Sequence, residues 1–250
     1  CIYNGTFRPN GKVQPGQDFA GENGPKAAAQ VFELKAAAAP GERSAVALSG
    51  LWQIARWDEN AVKEEDRLKG VDELPKLDEL YWYPISVPCD RDKQRPEFEF
   101  SHRNIYRTRV QVPADLKGRG FVLDFQNFSM IASVFVNGVP CGWSKDFYAR
   151  WQCDVTKGIK PGETNEICVV IKDRYYATRP PDGNPLGVRH NFNLPGDMLH
   201  NQGVTMGMDM PMFGNDKTGI FEPLTLVVTG AAYVEDVFAK PSVKKKELAL

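Results

Sequence analysis

Strict alternation of apolar and polar residues is the feature that most constrains the fold of this chain. Tyr106, Thr108 and Val110 are spaced two residues apart and would lie on one face of a strand. Arg107 and Arg109 lie between them and would occupy the opposite face. A period of two is typical of a β-strand with one buried and one solvated face, so this segment is predicted to be a strand.

The strongest turn signal is Asn137-Gly138, because both residues tolerate the positive φ that a type I′ hairpin turn requires. Further strands are predicted over residues 51–57, 121–125, 131–136, 147–153, 166–172 and 221–228. Many short strands separated by turns, with only one or two short helices, indicate two packed antiparallel sheets. We therefore predict an all-β fold, an antiparallel jelly-roll β-sandwich over residues 47–230.

The composition of residues 1–46 differs from that of the rest of the chain, and these residues are interpreted as an N-terminal extension or tether. The alanine-rich run from Lys26 to Ala39 is bracketed by Pro25 and Pro40, which predicts one short helix. Cys1 precedes a polar, glycine-rich stretch, as in a mature bacterial lipoprotein, and this predicts an extracytoplasmic location, periplasmic or at the cell surface. An equally good interpretation is that the chain was cut from a longer one and that Cys1 is accidental.

Composition excludes several classes of function. The 31 Lys and Arg residues balance 32 Asp and Glu residues, so no basic excess points to nucleic acid. No stretch of about 18 apolar residues predicts a membrane span. The cysteines lack C-x-x-C spacing, and we predict no metal site and no cofactor. Cys141 and Cys153 could face each other across a hairpin, although buried free thiols are the commoner outcome.

Six short motifs occur in a fixed order along the predicted sandwich. They are Leu48-Ser49-Gly50-Leu51-Trp52, Trp82 with Val87-Pro88, Ile105-Tyr106-Arg107, Ala132 to Gly138, Asp154-Val155-Thr156, and Gly219-Ile220-Phe221. In this order they resemble the galactose-binding-like first domain of family-two glycoside hydrolases, the relatives of β-galactosidase, β-glucuronidase and β-mannosidase. The resemblance covers roughly residues 47–250.

The motif residues have structural explanations of their own. Trp52 is expected in the core, where a large aromatic side chain joins the two sheets. Asp154 is expected to cap the turn after its strand, with support from Thr156. Trp143 and Trp151 are interpreted as packing residues and not as a platform for a sugar ring.

The resemblance implies a non-catalytic carbohydrate-binding or accessory domain of an enzyme that hydrolyses β-linked glycosides. In that family the two catalytic carboxylates come from a (β/α)₈ barrel, so we predict no catalytic residue in this chain and no activity for it alone. Residues 231–250 would be the first strand of a following immunoglobulin-like domain, and that domain and the barrel would be the partners within the same protein. The alternative is a free-standing carbohydrate-binding or adhesion module, because one fold serves many functions.

The long segment from Arg174 to Lys217 shows no persuasive alternation and is the best candidate for contacting sugar. Planar hydrogen-bonding groups beside aromatic rings suit the hydroxyls and the apolar face of a sugar. The candidate sugar-contact residues are Asp182, Asn184, Arg189, His190, Asn191, His200 and Asn201. A surface loop packed by its own methionine and phenylalanine residues is the alternative for this segment.

Overall fold

The computed structural model describes residues 29–35, 44–57, 68–98, 101–145, 149–173 and 217–230, together with residues 233, 239–242, 244 and 247–249 near the C-terminus. The strands within these residues are β1 (Val31–Glu33), β2 (Ala45–Ala47), β3 (Gly50–Arg56), β4 (Tyr83–Val87), β5 (Arg103–Gln111), β6 (Gly120–Phe125), β7 (Ile131–Val136), β8 (Val139–Ser144), β9 (Trp151–Asp154), β10 (Thr164–Lys172), β11 (Leu224–Thr229), β12 (Lys240–Ser242) and β13 (Glu247–Ala249). One α-helical turn, α1 (Arg91–Gln94), follows β4, and short 3-10 turns cover Leu77–Glu79, Pro96–Phe98 and Ala114–Leu116.

The strands form two sheets that pack into a sandwich. The larger sheet has the order β4-β3-β5-β10-β7-β8, and β1 pairs in parallel with the second half of β5. The smaller sheet has the order β2-β11-β6-β9, with antiparallel pairing throughout. The predicted all-β class and antiparallel jelly-roll sandwich are confirmed.

The main core lies between the two sheets and consists of the inward-facing half of each strand. Trp52 is fully buried there, and its indole Nε1 donates to the carbonyl oxygen of Leu48 at 2.8 Å. Tyr106 and Val110 on β5 are also fully buried, as their spacing predicts. Burial of these large side chains is the main favourable contribution to folding.

A second apolar cluster covers part of the outer face of the larger sheet. The segment 68–82 crosses this face, and its Trp82 packs with the buried outward-facing residues of β5, β7 and β10. The guanidinium carbon of Arg107 lies 3.9 Å from the centroid of the Trp82 ring, a cation–π contact. Val71 N donates to Ser133 Oγ at 2.9 Å, which ties this segment to β7.

Two of the predicted turns have the expected geometry. Asn137 and Gly138 connect β7 to β8 with φ values of 51° and 78°, and a β-carbon at Gly138 would meet nothing within 4 Å. The backbone N–H of Thr156 donates to Asp154 Oδ1 at 2.9 Å, and the Thr156 hydroxyl accepts from the Phe121 N–H at 2.9 Å. Both motifs are structural, as the sequence predicts.

The N-terminal part of the chain differs from the prediction. The helix predicted between Lys26 and Ala39 is wrong at Val31–Glu33, which is strand β1. Phe32 points into the core and Glu33 away from it, so the alternation of side chains and the pairing with β5 outweigh the helical preference of the neighbouring alanines. The domain boundary at residue 47 stays a prediction, although β1 and β2 pair with the sandwich.

The C-terminal residues contain two short strands where one was predicted. β12 and β13 pair with each other in an antiparallel two-stranded sheet. Their assignment to a following immunoglobulin-like domain stays a prediction. The four cysteines at positions 89, 141, 153 and 168 are free thiols. Among the residues described, no helix has the length and apolar character needed to cross a membrane.

Candidate functional site

Among the residues that the structure describes, a buried group of charged side chains lies where the larger sheet meets α1. Val87-Pro88 ends β4, and the following residues Asp90 to Asp92 turn back across the end of the sandwich. The N–H of Arg91 donates to the carbonyl oxygen of Thr218 at 2.9 Å. The turn is therefore paired with the strand-like stretch through which the chain returns to the sandwich.

Arg91 is fully buried and every nitrogen of its guanidinium group has a partner. Nε donates to Asp92 Oδ1 at 2.8 Å, and Nη1 donates to the carbonyl oxygen of Ser101 at 2.8 Å. Nη2 donates to Asp173 Oδ2 at 3.3 Å and lies 2.8 Å from Asp92 Oδ1. A buried guanidinium tolerates removal from water only when it is paired in this way.

Asp173 and His102 complete the inner side of this site. His102 Nδ1 lies 3.1 Å from both carboxylate oxygens of Asp173, and both side chains are buried. The Asp173 N–H donates to the His102 carbonyl oxygen at 2.9 Å. This bond extends the β5–β10 ladder one step past its last pair, Lys172 with Arg103.

Thr218 binds the two aspartates that flank Arg91. Its hydroxyl donates to Asp92 Oδ2 at 2.5 Å, and its N–H donates to Asp90 Oδ1 at 3.3 Å. We call Arg91, Asp92, His102, Asp173 and Thr218 the anchor cluster. Its members come from four separate parts of the chain.

The electrostatics of the anchor cluster keep Arg91 charged. Burial alone would lower the pKa of Arg91, but the negative charges of Asp92 and Asp173 outweigh that effect and raise it. Burial also raises the pKa of the Tyr106 hydroxyl well above its usual range, although the charge of Arg91 opposes the shift. Tyr106 is therefore a neutral phenol beside a permanently cationic guanidinium.

Gly219 allows the close approach of the backbone to Tyr106. Its φ is +92°, and a β-carbon at this position would lie 2.2 Å from the Tyr106 hydroxyl oxygen. Only glycine satisfies both conditions without displacing the tyrosine. The Tyr106 hydroxyl is buried, and it has no hydrogen-bond partner among the residues that the structure describes.

The seven predicted sugar-contact residues, Asp182, Asn184, Arg189, His190, Asn191, His200 and Asn201, all lie outside the described residues. Their grouping stays a prediction. Asp173 and Thr218, which lie on either side of the segment that carries them, are both members of the anchor cluster. Within the described part of the chain, no group of three or more His, Cys, Asp or Glu side chains could hold a metal ion.

Sequence reasoning missed the anchor cluster. The only local signal is the run Asp90-Arg91-Asp92 directly after the apolar strand that Val87-Pro88 ends. Such a charged run is usually solvated, because charged residues are rarely fully buried. The pairing with Asp173 was not visible, because 82 positions separate it from Arg91.

The fold and this site define an antiparallel β-sandwich in which the anchor cluster joins α1 to the end of β10 and to the residues before β11. The chain belongs to the family described as glycosyl hydrolase 2 galactose-binding domain-like, whose family model matches residues 82–207, about half of the chain. The matched range includes the anchor residues from Arg91 to Asp173 and most of the segment that follows them.

Two curated relatives are glycosidases. A β-glucuronidase of Formosa agariphila is 32% identical over 68 residues, which is 27% of this chain and 7% of that protein. A β-galactosidase of Thermoanaerobacter pseudethanolicus is 29% identical over 114 residues, which is 43% of this chain and 15% of that protein. The chain thus spans only a small fraction of the length of these relatives.

Solved structures show the same fold. A Ruminococcus gnavus β-glucuronidase superposes with a TM-score of 0.51 at 16% identity, over 78% of this chain and 30% of that one. The complex of that organism's β-glucuronidase with uronic deoxynojirimycin gives a TM-score of 0.50 at 14% identity, over 80% of this chain and 31% of that one. At this level of identity, the comparison supports the sandwich fold alone.

Proposed function

We propose that this chain is the carbohydrate-binding accessory domain of a glycosidase that acts on β-linked glycosides. The observation that carries the proposal is the family match over residues 82–207, since this range includes strands β4 to β10 of the sandwich and most of the predicted sugar-contact segment. The curated relatives with sequence similarity are a β-glucuronidase and a β-galactosidase. Both are β-glycosidases, although they act on different sugars.

The composition of the segment between Asp173 and Thr218 supports the proposed contact with sugar. It combines amide, imidazole, guanidinium and carboxylate groups with Tyr175, Tyr176 and Phe192. Hydroxyl groups of a sugar are recognised by planar polar side chains, and its C–H face packs on aromatic rings. The anchor cluster supports the same role because it binds Asp173 and Thr218, the described residues on either side of this segment, and binding groups work best when a rigid element carries them.

Hydrolysis is proposed to take place in another domain of the same protein. Retaining and inverting glycosidases both need two carboxylic acids that flank the scissile bond. The two carboxylates of the anchor cluster, Asp173 and Asp92, both accept hydrogen bonds from the Arg91 guanidinium. Because these carboxylates are occupied in a buried ion-pair network, we assign them a structural role and not acid–base catalysis.

Steady-state kinetics of the intact protein test the proposal. We expect His190→Ala and Asn191→Ala to lower kcat/KM roughly tenfold on the preferred aryl β-glycoside, because each change removes a hydrogen bond to sugar worth about 1.4 kcal/mol. The panel would contain p-nitrophenyl β-glucuronide, β-galactoside and β-mannoside. Lys76→Ala is the matched control, since Lys76 lies on the surface with its side chain 76% exposed.

The thermal midpoint of each variant shows whether the domain is still folded. If both segment variants keep the kinetics and the stability of the parent, these residues do not contact sugar and the proposed site is wrong. If neither these three compounds nor any other p-nitrophenyl β-glycoside is hydrolysed, the proposal of a β-glycosidase is wrong.

A further inference from the structure

Two of the four described cysteines lie on neighbouring strands that belong to different sheets. Cys141 is on β8, the last strand of the larger sheet, and Cys153 is on β9, the last strand of the smaller sheet. Both are free thiols, and both side chains pack in the main core. β8 pairs with β7 and β9 pairs with β6, so side chains and not a shared ladder bring these two edge strands together.

A β-bulge in β8 places Cys141 against the main core. The register of β7 with β8 shifts between Val134 and Phe135, and Cys141 is the residue of β8 that has no Cα partner on β7. Such an extra residue changes the direction in which the side chains of a strand point. A β-carbon at Gly158 would lie 3.3 Å from Cys141 Sγ and 2.7 Å from Cβ of the buried Val136. The sulfur of Cys141 is therefore on the inner side of β8.

Cys153 approaches the same place from β9. It pairs with Leu123 on β6, and both side chains lie in the main core. A β-carbon at Gly142, the residue after Cys141, would lie 3.4 Å from Cys153 Sγ, which is van der Waals contact. The pKa of Cys153 is raised to about 12, first by burial and next by the negative charge of the Cys141 thiolate. The two sulfurs thus face each other between the edges of the two sheets.

We propose that Cys141 and Cys153 form an intrachain disulfide when the folded protein meets a low-molecular-weight disulfide, and that this bond joins β8 to β9. The Cys141 thiolate attacks the external disulfide, forms a mixed disulfide and releases one thiol. The Cys153 thiolate then attacks Sγ of Cys141, forms the protein disulfide and releases the second thiol. The two cysteines lose two electrons and two protons in total, and the external disulfide gains them as it becomes two thiols.

Exposure and charge set the order of these steps. Cys141 is half-buried, whereas Cys153 is only 3% exposed, so Cys141 is the thiol that an external disulfide reaches. The mixed disulfide carries no thiolate at Cys141, so this charge no longer raises the pKa of Cys153. The positive charge of Lys157 lowers the pKa of both thiols and favours both attacks. None of this depends on the function proposed above.

Peptide mapping of the intact protein without reduction tests the pairing. The folded protein is held in glutathione disulfide at about pH 8, where thiol exchange proceeds. Unfolding in urea with N-ethylmaleimide then blocks the remaining thiols before trypsin is added. Cys141 and Cys153 fall on different tryptic peptides, Gly120–Lys145 and Trp151–Lys157. We expect these two peptides to be joined by a bond that dithiothreitol breaks.

Three variants separate this pairing from general oxidation. Cys141→Ser and Cys153→Ala should each abolish the joined peptides. Cys89→Ala is the matched control, because it removes another half-buried thiol and should leave the yield of joined peptides at the parent level. The map of the parent decides the pairing by itself if a variant fails to fold.

Hydrogen–deuterium exchange of the oxidised and the reduced parent measures the consequence for the sandwich. A bond between the two edge strands restricts their local opening. We expect exchange in peptides from β8 and β9 to fall by about fivefold or more on oxidation, and exchange in peptides from β3 to stay unchanged.

Three results would overturn the proposal. The first is the absence of the joined peptides from the oxidised folded parent. The second is a yield of bridges from Cys141 or Cys153 to any other cysteine that equals or exceeds the yield of the proposed pair. The third is unchanged exchange of β8 and β9 in the fully oxidised protein.

Discussion

Replacement of Trp52 by alanine is the most direct test of where the core lies. Trp52 is fully buried between the two sheets, and its indole N–H donates to the Leu48 carbonyl oxygen at 2.8 Å. Trp52→Ala removes the whole ring system, leaves a cavity, and deprives a buried carbonyl group of its donor. All three effects lower the free energy of unfolding.

The expected loss follows from these parts. Truncation of a buried Trp to Ala costs about 3–5 kcal/mol through lost burial and the residual cavity. The Leu48 carbonyl oxygen, which loses its hydrogen-bond donor, adds about 1 kcal/mol to this loss of unfolding free energy. Leu48 is fully buried, so water replaces the donor only if the sandwich opens. The sum, about 4–6 kcal/mol, is comparable with the whole stability of an ordinary domain.

Urea denaturation followed by far-UV circular dichroism measures this loss. We expect the midpoint to fall by about 2 M, since the dependence of the free energy on urea is about 1–3 kcal/mol per molar. Trp143→Ala is the matched control: Trp143 is 42% exposed on β8, and its loss should cost about 1 kcal/mol. An unchanged midpoint for Trp52→Ala, or an equal loss for Trp143→Ala, would show that the core is misplaced.

Two further predictions concern Gly219 and the buried thiols. Gly219→Ala should destabilise the protein by about 2–4 kcal/mol, because its positive φ and the Tyr106 hydroxyl both exclude a β-carbon. Gly118→Ala is its control in the same urea titration: with φ at +81° and no neighbour within 4 Å, it should cost only about 1–2 kcal/mol of backbone strain. Burial raises the pKa of Cys89 and Cys153 to about 12, so the thiolate forms only well above neutral pH. Iodoacetamide at pH 8 should therefore label both about a thousandfold more slowly than free cysteine until urea unfolds the chain, and rapid labelling of the folded protein by mass spectrometry would contradict this.

Local patterns were sufficient to predict most of the sandwich. The alternation of side chains along β5 and the Asn137-Gly138 turn depend on neighbours in sequence, and both are confirmed. The same is true of Trp52, whose size and apolar character favour a core position wherever the sheets meet. These features were predictable because strand period and turn conformation are properties of a few consecutive residues.

The candidate site could be predicted only in part. The segment between Asp173 and Thr218 is conspicuous in the sequence because it lacks alternation. The charged residues beside it cannot be recognised from the sequence. Arg91 and Asp173 each resemble an ordinary surface charge when they are compared only with their neighbours in sequence. Burial of a charge depends on which distant partner the fold supplies, and a sequence does not contain that information locally.

Tertiary structure also decided the secondary structure of the residues around Val31. An alanine-rich run between two prolines favours a helix on local grounds, and the sequence alone predicted one. The open side of β5 offers backbone hydrogen bonds and a core position for Phe32, which a helix there would leave empty. Local preference is worth a few tenths of a kcal/mol per residue, whereas burial of one phenylalanine is worth about 2 kcal/mol, so pairing with β5 prevails over the local signal.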